Sequence, residues 1–200
     1  MKNIPFLLIY SRIVVAILIG VVTFLKIEEK EFIIITLLTI GFLTDVFDGV
    51  IARKLGVSSK KLRIWDSNVD QFFWLVTIAS IFYINFLFIK DHYLGIILVL
   101  FLEVMAYVVS YIKFKKTIAT HSLLAKLWTI TLLLFLVDLT INSNSNVTFW
   151  ICLILGIISR IEIIAIIMQL NKWATDIPSI FAVNKLNRGM TPKKYKLFNS

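Results

Sequence analysis

The sequence predicts an all-α integral membrane bundle of six transmembrane helices, and three observations carry that expectation. Apolar residues fill 59% of the 200 positions and charged residues only 16%, against about 45–50% and 25% in soluble domains. The mean hydropathy is +0.90. The apolar residues also fall into six stretches separated by short polar breaks, each close to the roughly 20 residues that a helix needs to cross the hydrocarbon core. In a soluble chain a net charge of +9 would suggest a nucleic-acid partner. At this hydropathy none is expected, and the excess of base reads as orientation and as contact with anionic lipid or phosphate.

The spans are expected at about 4–25, 32–52, 65–89, 93–113, 122–141 and 147–170, followed by a basic tail over 171–200, all in one membrane domain. Arg12 interrupts the first apolar run and no small-residue cleavage site follows it, so this run is expected to be a retained span rather than a secretory signal. The second span follows the mixed charges of Lys26 to Glu31, and the third follows the basic connection of Arg53, Lys54, Lys60, Lys61 and Arg63. Lys90 and Asp91 precede the fourth, Lys113, Lys115 and Lys116 precede the fifth, and the uncharged stretch 142–146 precedes the sixth. Basic residues thus collect on alternate connections and in the tail, which holds Lys172, Lys185, Arg188, Lys193, Lys194 and Lys196. The positive-inside rule then predicts a multi-pass protein of the cell membrane with both termini on the cytoplasmic side.

Four acids stand where apolar residues would be easier to insert. Asp45 and Asp48 lie near the end of the second span, and Asp66 and Asp70 open the third. Each costs about 2.5–3.5 kcal/mol at bilayer depth, so something must compensate them. On the second helix Asp45, Asp48, Gly49, Ala52 and Arg53 fall at i, i+3, i+4, i+7 and i+8, one continuous face. Asp66 and Asp70 are i and i+4 on the next helix, and the short connection predicts that the two helices are antiparallel neighbours. Four oxygen ligands converging without His or Cys suit a hard divalent cation, Mg²⁺ or Mn²⁺, and have capacity for two ions. The lone Cys152 and the separated His92 and His121 offer no competing site. Gly49 and Ala52 leave the face open to a ligand, and Arg53 presents a fork that matches phosphate.

This constellation resembles the signature of the CDP-alcohol phosphatidyltransferases, D-x2-D-G-x2-A-R-x8-G-x3-D-x3-D. Here it reads Asp45, Asp48, Gly49, Ala52, Arg53, then Leu62 after eight residues, then Asp66 and Asp70. Seven of the eight fixed positions and every spacing agree, and Leu62 stands where the family has glycine. The segment from Thr120 to Thr129 loosely resembles a Ser-x-x-Gly-Lys-x-x-Thr stretch of some members, with Ala125 in place of glycine. The opening Asn3, Pro5 and Arg12 resemble the Asn-x-Pro and later Arg of members that use glycerophosphate. The resemblance implies a membrane transferase of phospholipid biosynthesis that moves a phosphatidyl group from CDP-diacylglycerol to an alcohol acceptor and releases CMP. It further implies a metal pair on Asp45, Asp48, Asp66 and Asp70, with Asp70 as the base. It assigns Gly49, Ala52, Arg53 and Ser59 to the CDP-lipid, and a homodimer as the assembly. Glycerol 3-phosphate is the expected acceptor, with serine, inositol phosphate and phosphatidylglycerol as alternatives.

Other charges within apolar runs are candidates by default. Arg160 in the sixth span and Lys126 at the start of the fifth are read as contacts to the acceptor phosphate. Glu103 is expected in a structural contact between helices, and Glu162, two residues from Arg160, on a different face from it. Trp65, Trp128 and Trp173 fall where interface anchors are expected. A carboxylate-lined cation or proton transporter is the competing reading, but the acids cluster at one membrane face and no repeated half is present.

Overall fold

A computed structural model of the protein describes residues 4–54, 60–116, 122–174 and 177–188. The elements are α1 (Ile4–Phe24), α2 (Lys30–Lys54), α3 (Lys60–Ile84), α4 (Phe86–Phe114), α5 (Leu123–Asn142) and α6 (Asn146–Gln169), then a 3₁₀ turn (Ile180–Ala182) and α7 (Val183–Asn187). No strand occurs among the described residues. Four helices there are long and apolar enough to cross a membrane: α1 from Phe6, α4, α5 and α6. Helices α2 and α3, which carry the acids, have 25 residues each, about 37 Å at 1.5 Å per residue. The fold is therefore an all-α membrane bundle.

The break between the third and fourth helices falls at Asn85, earlier than the charges at Lys90 and Asp91 predict. Charged side chains lower hydropathy without interrupting a helix, and Lys90, Asp91 and His92 lie inside α4. Asn85 instead turns its side-chain Nδ2 onto the Ile81 carbonyl at 3.1 Å, while its backbone N–H donates to the same oxygen at 3.0 Å. Such local bonds compete with the regular ladder. At the preceding connection Lys60, Lys61 and Arg63 likewise belong to α3 rather than to the loop.

The chain forms two compact units, Met1–Phe88 with Leu136–Asn144, and Ile89–Phe135 with Ser145–Ser200. In the first, α1 packs closely along both α2 and α3, while α2 and α3 approach each other only sparsely among the described residues. Ile9 of α1 and Val69 of α3 share a buried cluster with Ile13 packed on it. The direct approach of α2 to α3 depends on Gly41, where an added Cβ would lie 2.3 Å from the ring of Phe73. Phe73 is itself buried, so its ring would have to shift within packed surroundings. Gly41→Ala is therefore expected to cost about 1–3 kcal/mol through overpacking, with part recovered when Phe73→Leu is added. Denaturant unfolding in detergent measures both; an unchanged midpoint for Gly41→Ala would show that the helices separate freely.

In the second unit Gly95 admits Leu153 and Phe149, and Gly156 admits Trp128 and Val99. The segment after α6 is expected as a tail, yet its first part docks. Ile177 and Val183 are fully buried in a cluster with Ile166 and Leu170. Polar bonds fix the same segment: Leu123 N–H donates to the Pro178 carbonyl at 3.0 Å, and Asn187 Nδ2 donates to Gln169 O at 2.8 Å. Asn187 Oδ1 accepts from Asn171 N–H at 3.0 Å. The apolar spacing of Ile177, Ile180 and Val183 supplies burial that a count of lysines conceals.

Candidate active site

The signature residues fall on regular helix. Asp45, Asp48, Gly49, Ala52 and Arg53 lie within α2, and Asp66 and Asp70 within α3, so the helical phase expected from their spacing is present. Ser59 lies outside the described residues, as do the side chains of Ala52, Arg53 and Leu62 and the surroundings of Gly49. Gly41 meets Phe73, and seven residues further along α2 Asp48 meets Asp66, seven residues earlier in α3. The opposed senses establish the antiparallel register. Gly41, Asp45 and Asp48 share one face of α2, as Asp66, Asp70 and Phe73 share one of α3, so the glycine–phenylalanine contact sets the depth at which the carboxylates meet.

Carboxyl oxygens of Asp45, Asp48 and Asp66 lie within 4.8 Å of one another. Asp48 is buried, while Asp45, Asp66 and Asp70 are partly exposed. At their centre is Arg12 of α1, with no solvent exposure. Its Nη1 donates to Asp45 Oδ1 at 2.9 Å and also pairs with Asp70. Its Nη2 donates to Asp66 Oδ1 at 2.6 Å and also to Asp48 Oδ2. Nε is buried without a partner among the described residues. The sequence marks Arg12 as the one base inside the first apolar run, but nothing in its spacing points to residues on α2 and α3. The available clue is charge balance: four intramembrane acids require compensation, and Arg12 is the base in the preceding span.

That compensation is incomplete. One guanidinium faces four carboxyl groups, so acids outnumber bases four to one among these five groups. Further positive charge is favoured in a partly desolvated place. A hard divalent cation takes oxygen ligands at about 2.0–2.1 Å, so ligands on opposite sides of it stand about 4 Å apart. The spread of Asp45, Asp48 and Asp66 is compatible with that size, and the all-oxygen donor set suits Mg²⁺ or Mn²⁺. Asp70 joins the group through Arg12, on the same guanidinium nitrogen as Asp45.

In the second unit Arg160 is buried, its Nε donating to Glu103 Oε2 at 2.6 Å and its Nη1 to Ser159 Oγ at 2.8 Å. The guanidinium carbon lies 3.6 Å from the centre of the Trp128 ring. Glu103 thus makes the contact between helices expected of it. Glu162 points elsewhere, accepting from Ile180 N–H at 3.4 Å. The half-buried Trp128 ring stacks on the Arg160 guanidinium and lies against the bare backbone at Gly156. Lys126 is half-buried in the first turn of α5.

The family model of the CDP-alcohol phosphatidyltransferases matches residues 2–158, a range that includes Arg12 and all four aspartates. No curated protein and no solved structure matches the chain. The match covers most of the chain, and the carboxylates of its signature meet on two helices of an apolar bundle. With both in hand, the chain is an enzyme rather than a carrier and belongs to the CDP-alcohol phosphatidyltransferase family, membrane transferases of phospholipid biosynthesis.

Proposed function

We propose that the protein transfers a phosphatidyl group from CDP-diacylglycerol to glycerol 3-phosphate, releasing CMP, with Mg²⁺ or Mn²⁺ held by Asp45, Asp48, Asp66 and Asp70 as a pair of ions. The observation that carries this reading is the convergence of three carboxylates, with a fourth joined through Arg12, so that a single guanidinium faces four acids. Bound divalent ions would spread the charge of the donor's diphosphate and ease departure of CMP. Asp70 accepts the proton of the acceptor hydroxyl as its oxygen forms a bond to the lipid-side phosphorus. The bond from that phosphorus to the diphosphate bridging oxygen breaks, and CMP leaves with the electron pair. Gly49, Ala52, Arg53 and Ser59 bind the CDP-lipid donor, Arg53 and Ser59 at its CDP part. Lys and Arg on alternate connections support a site and termini on the cytoplasmic face of the cell membrane.

The test is CMP release from CDP-diacylglycerol by the purified protein, with glycerol 3-phosphate, serine, inositol phosphate and phosphatidylglycerol offered in parallel and the lipid product identified. The expected result is CMP formation that needs both a divalent cation and glycerol 3-phosphate. Turnover unaffected by chelation would remove the metal from the reading. Turnover with a different acceptor would keep the transfer and replace the acceptor.

A further inference from the structure

Phe181, Asn184, Lys185 and Arg188 recur at i, i+3, i+4 and i+7 along the 3₁₀ turn and α7, so they share one face. All four are exposed, and Phe181 is 85% exposed. The opposite face carries Val183, which is fully buried with Ile177 against α6. Bonds from Asn187 and to Pro178 hold the segment in place, so Phe181 cannot turn inward without undocking it. A large aromatic held outward beside cations matches a surface that is both apolar and negatively charged.

We propose that this face is a membrane-surface contact that binds anionic phospholipid, with Phe181 entering the interface and Lys185 and Arg188 meeting the phosphates. Between residues 171 and 200 there are six basic residues and a single acid, Asp176, so the surroundings add to the attraction. Nearby in the same unit Lys116 lies 4.6 Å over Trp173 and Lys115 lies 5.3 Å over Tyr111. Cations paired with aromatic rings at helix ends are the side chains that settle at headgroup depth. An apolar groove of about 340 Å³, lined by Tyr107, Val108, Tyr111, Ile112 and Lys116, provides room for an acyl chain beside Lys116. A second copy of the chain is a poorer occupant, since a two-fold contact would bring this cationic face onto itself. The proposal requires only that the protein be in a membrane and is independent of the reaction it catalyses.

The experiment places a small fluorophore at Phe181→Cys in the full chain, with Cys152→Ala, in vesicles of phosphatidylcholine with or without phosphatidylglycerol. Nitroxide-bearing lipid is expected to quench the probe several-fold more than aqueous iodide does, and more strongly when phosphatidylglycerol is present. Adding Lys185→Gln and Arg188→Gln, both on exposed side chains, should abolish the dependence on phosphatidylglycerol. Iodide quenching equal to that of a probe on an exposed loop at Asn144→Cys would overturn the proposal. So would lipid quenching indifferent to headgroup charge, or excimer emission from pyrene at position 181, which would place a second copy there.

Discussion

Replacing Asp70 with asparagine is expected to lower single-turnover rate by about 10²–10⁴-fold, the range for loss of a general base. The substitution keeps the shape of the side chain and an oxygen that can accept from Nη1 of Arg12, but it removes the group that takes the proton. Asp45, Asp48 and Asp66, whose oxygens already lie within 4.8 Å of one another, retain their charges. Affinity for CDP-diacylglycerol at saturating divalent cation should therefore survive much better than rate. Measuring both on the same variant separates the roles. A normal rate would show that Asp70 is not the base, whereas joint loss of affinity and rate would make it chiefly a metal ligand.

Arg12→Gln is expected to have the largest effect on stability. Removing one partner of a buried ion pair costs about 3–5 kcal/mol because the other charge remains desolvated. Here Arg12 touches four carboxylates, and Asp48 is buried beside it. Without the guanidinium these four acids lose the basic partner that they share. Addition of Asp48→Asn should restore part of the stability, and Mg²⁺ or Mn²⁺ should stabilise Arg12→Gln more than the parent protein, since the cation then supplies the missing charge. Arg12→Lys should be intermediate, as one ammonium cannot present the two nitrogens that the four acids share. Unfolding in detergent across a divalent titration provides the readout. A midpoint for Arg12→Gln within about 0.5 kcal/mol of the parent, the range of an ordinary surface change, would mean that Arg12 does not compensate the cluster.

Features that repeat along a line are legible in the residues before any folding is considered. Apolar runs of spanning length set the helices, and intervals of three and four placed Asp45 and Asp48 on one face of α2, and Asp66 and Asp70 on one face of α3. These are consequences of the rise and turn of a helix and need no knowledge of its neighbours. Even there, hydropathy placed a break at Lys90 and Asp91, because it registers solvation, whereas the helix ends at Ile84 and restarts at Phe86, where the Asn85 side chain bonds the Ile81 carbonyl. Tertiary structure alone decided which charge answers the acids. The short connection made α2 and α3 antiparallel neighbours, as they are, but nothing in it showed that α1 packs along both and brings Arg12 to residues 33 and 54 positions away in sequence. The docking of Ile177 and Val183 was decided in the same way, against Ile166 and Leu170. Periodicity is local and therefore legible, whereas a buried charge or an apolar side chain takes whichever partner the packed chain brings within reach, and that choice has no period.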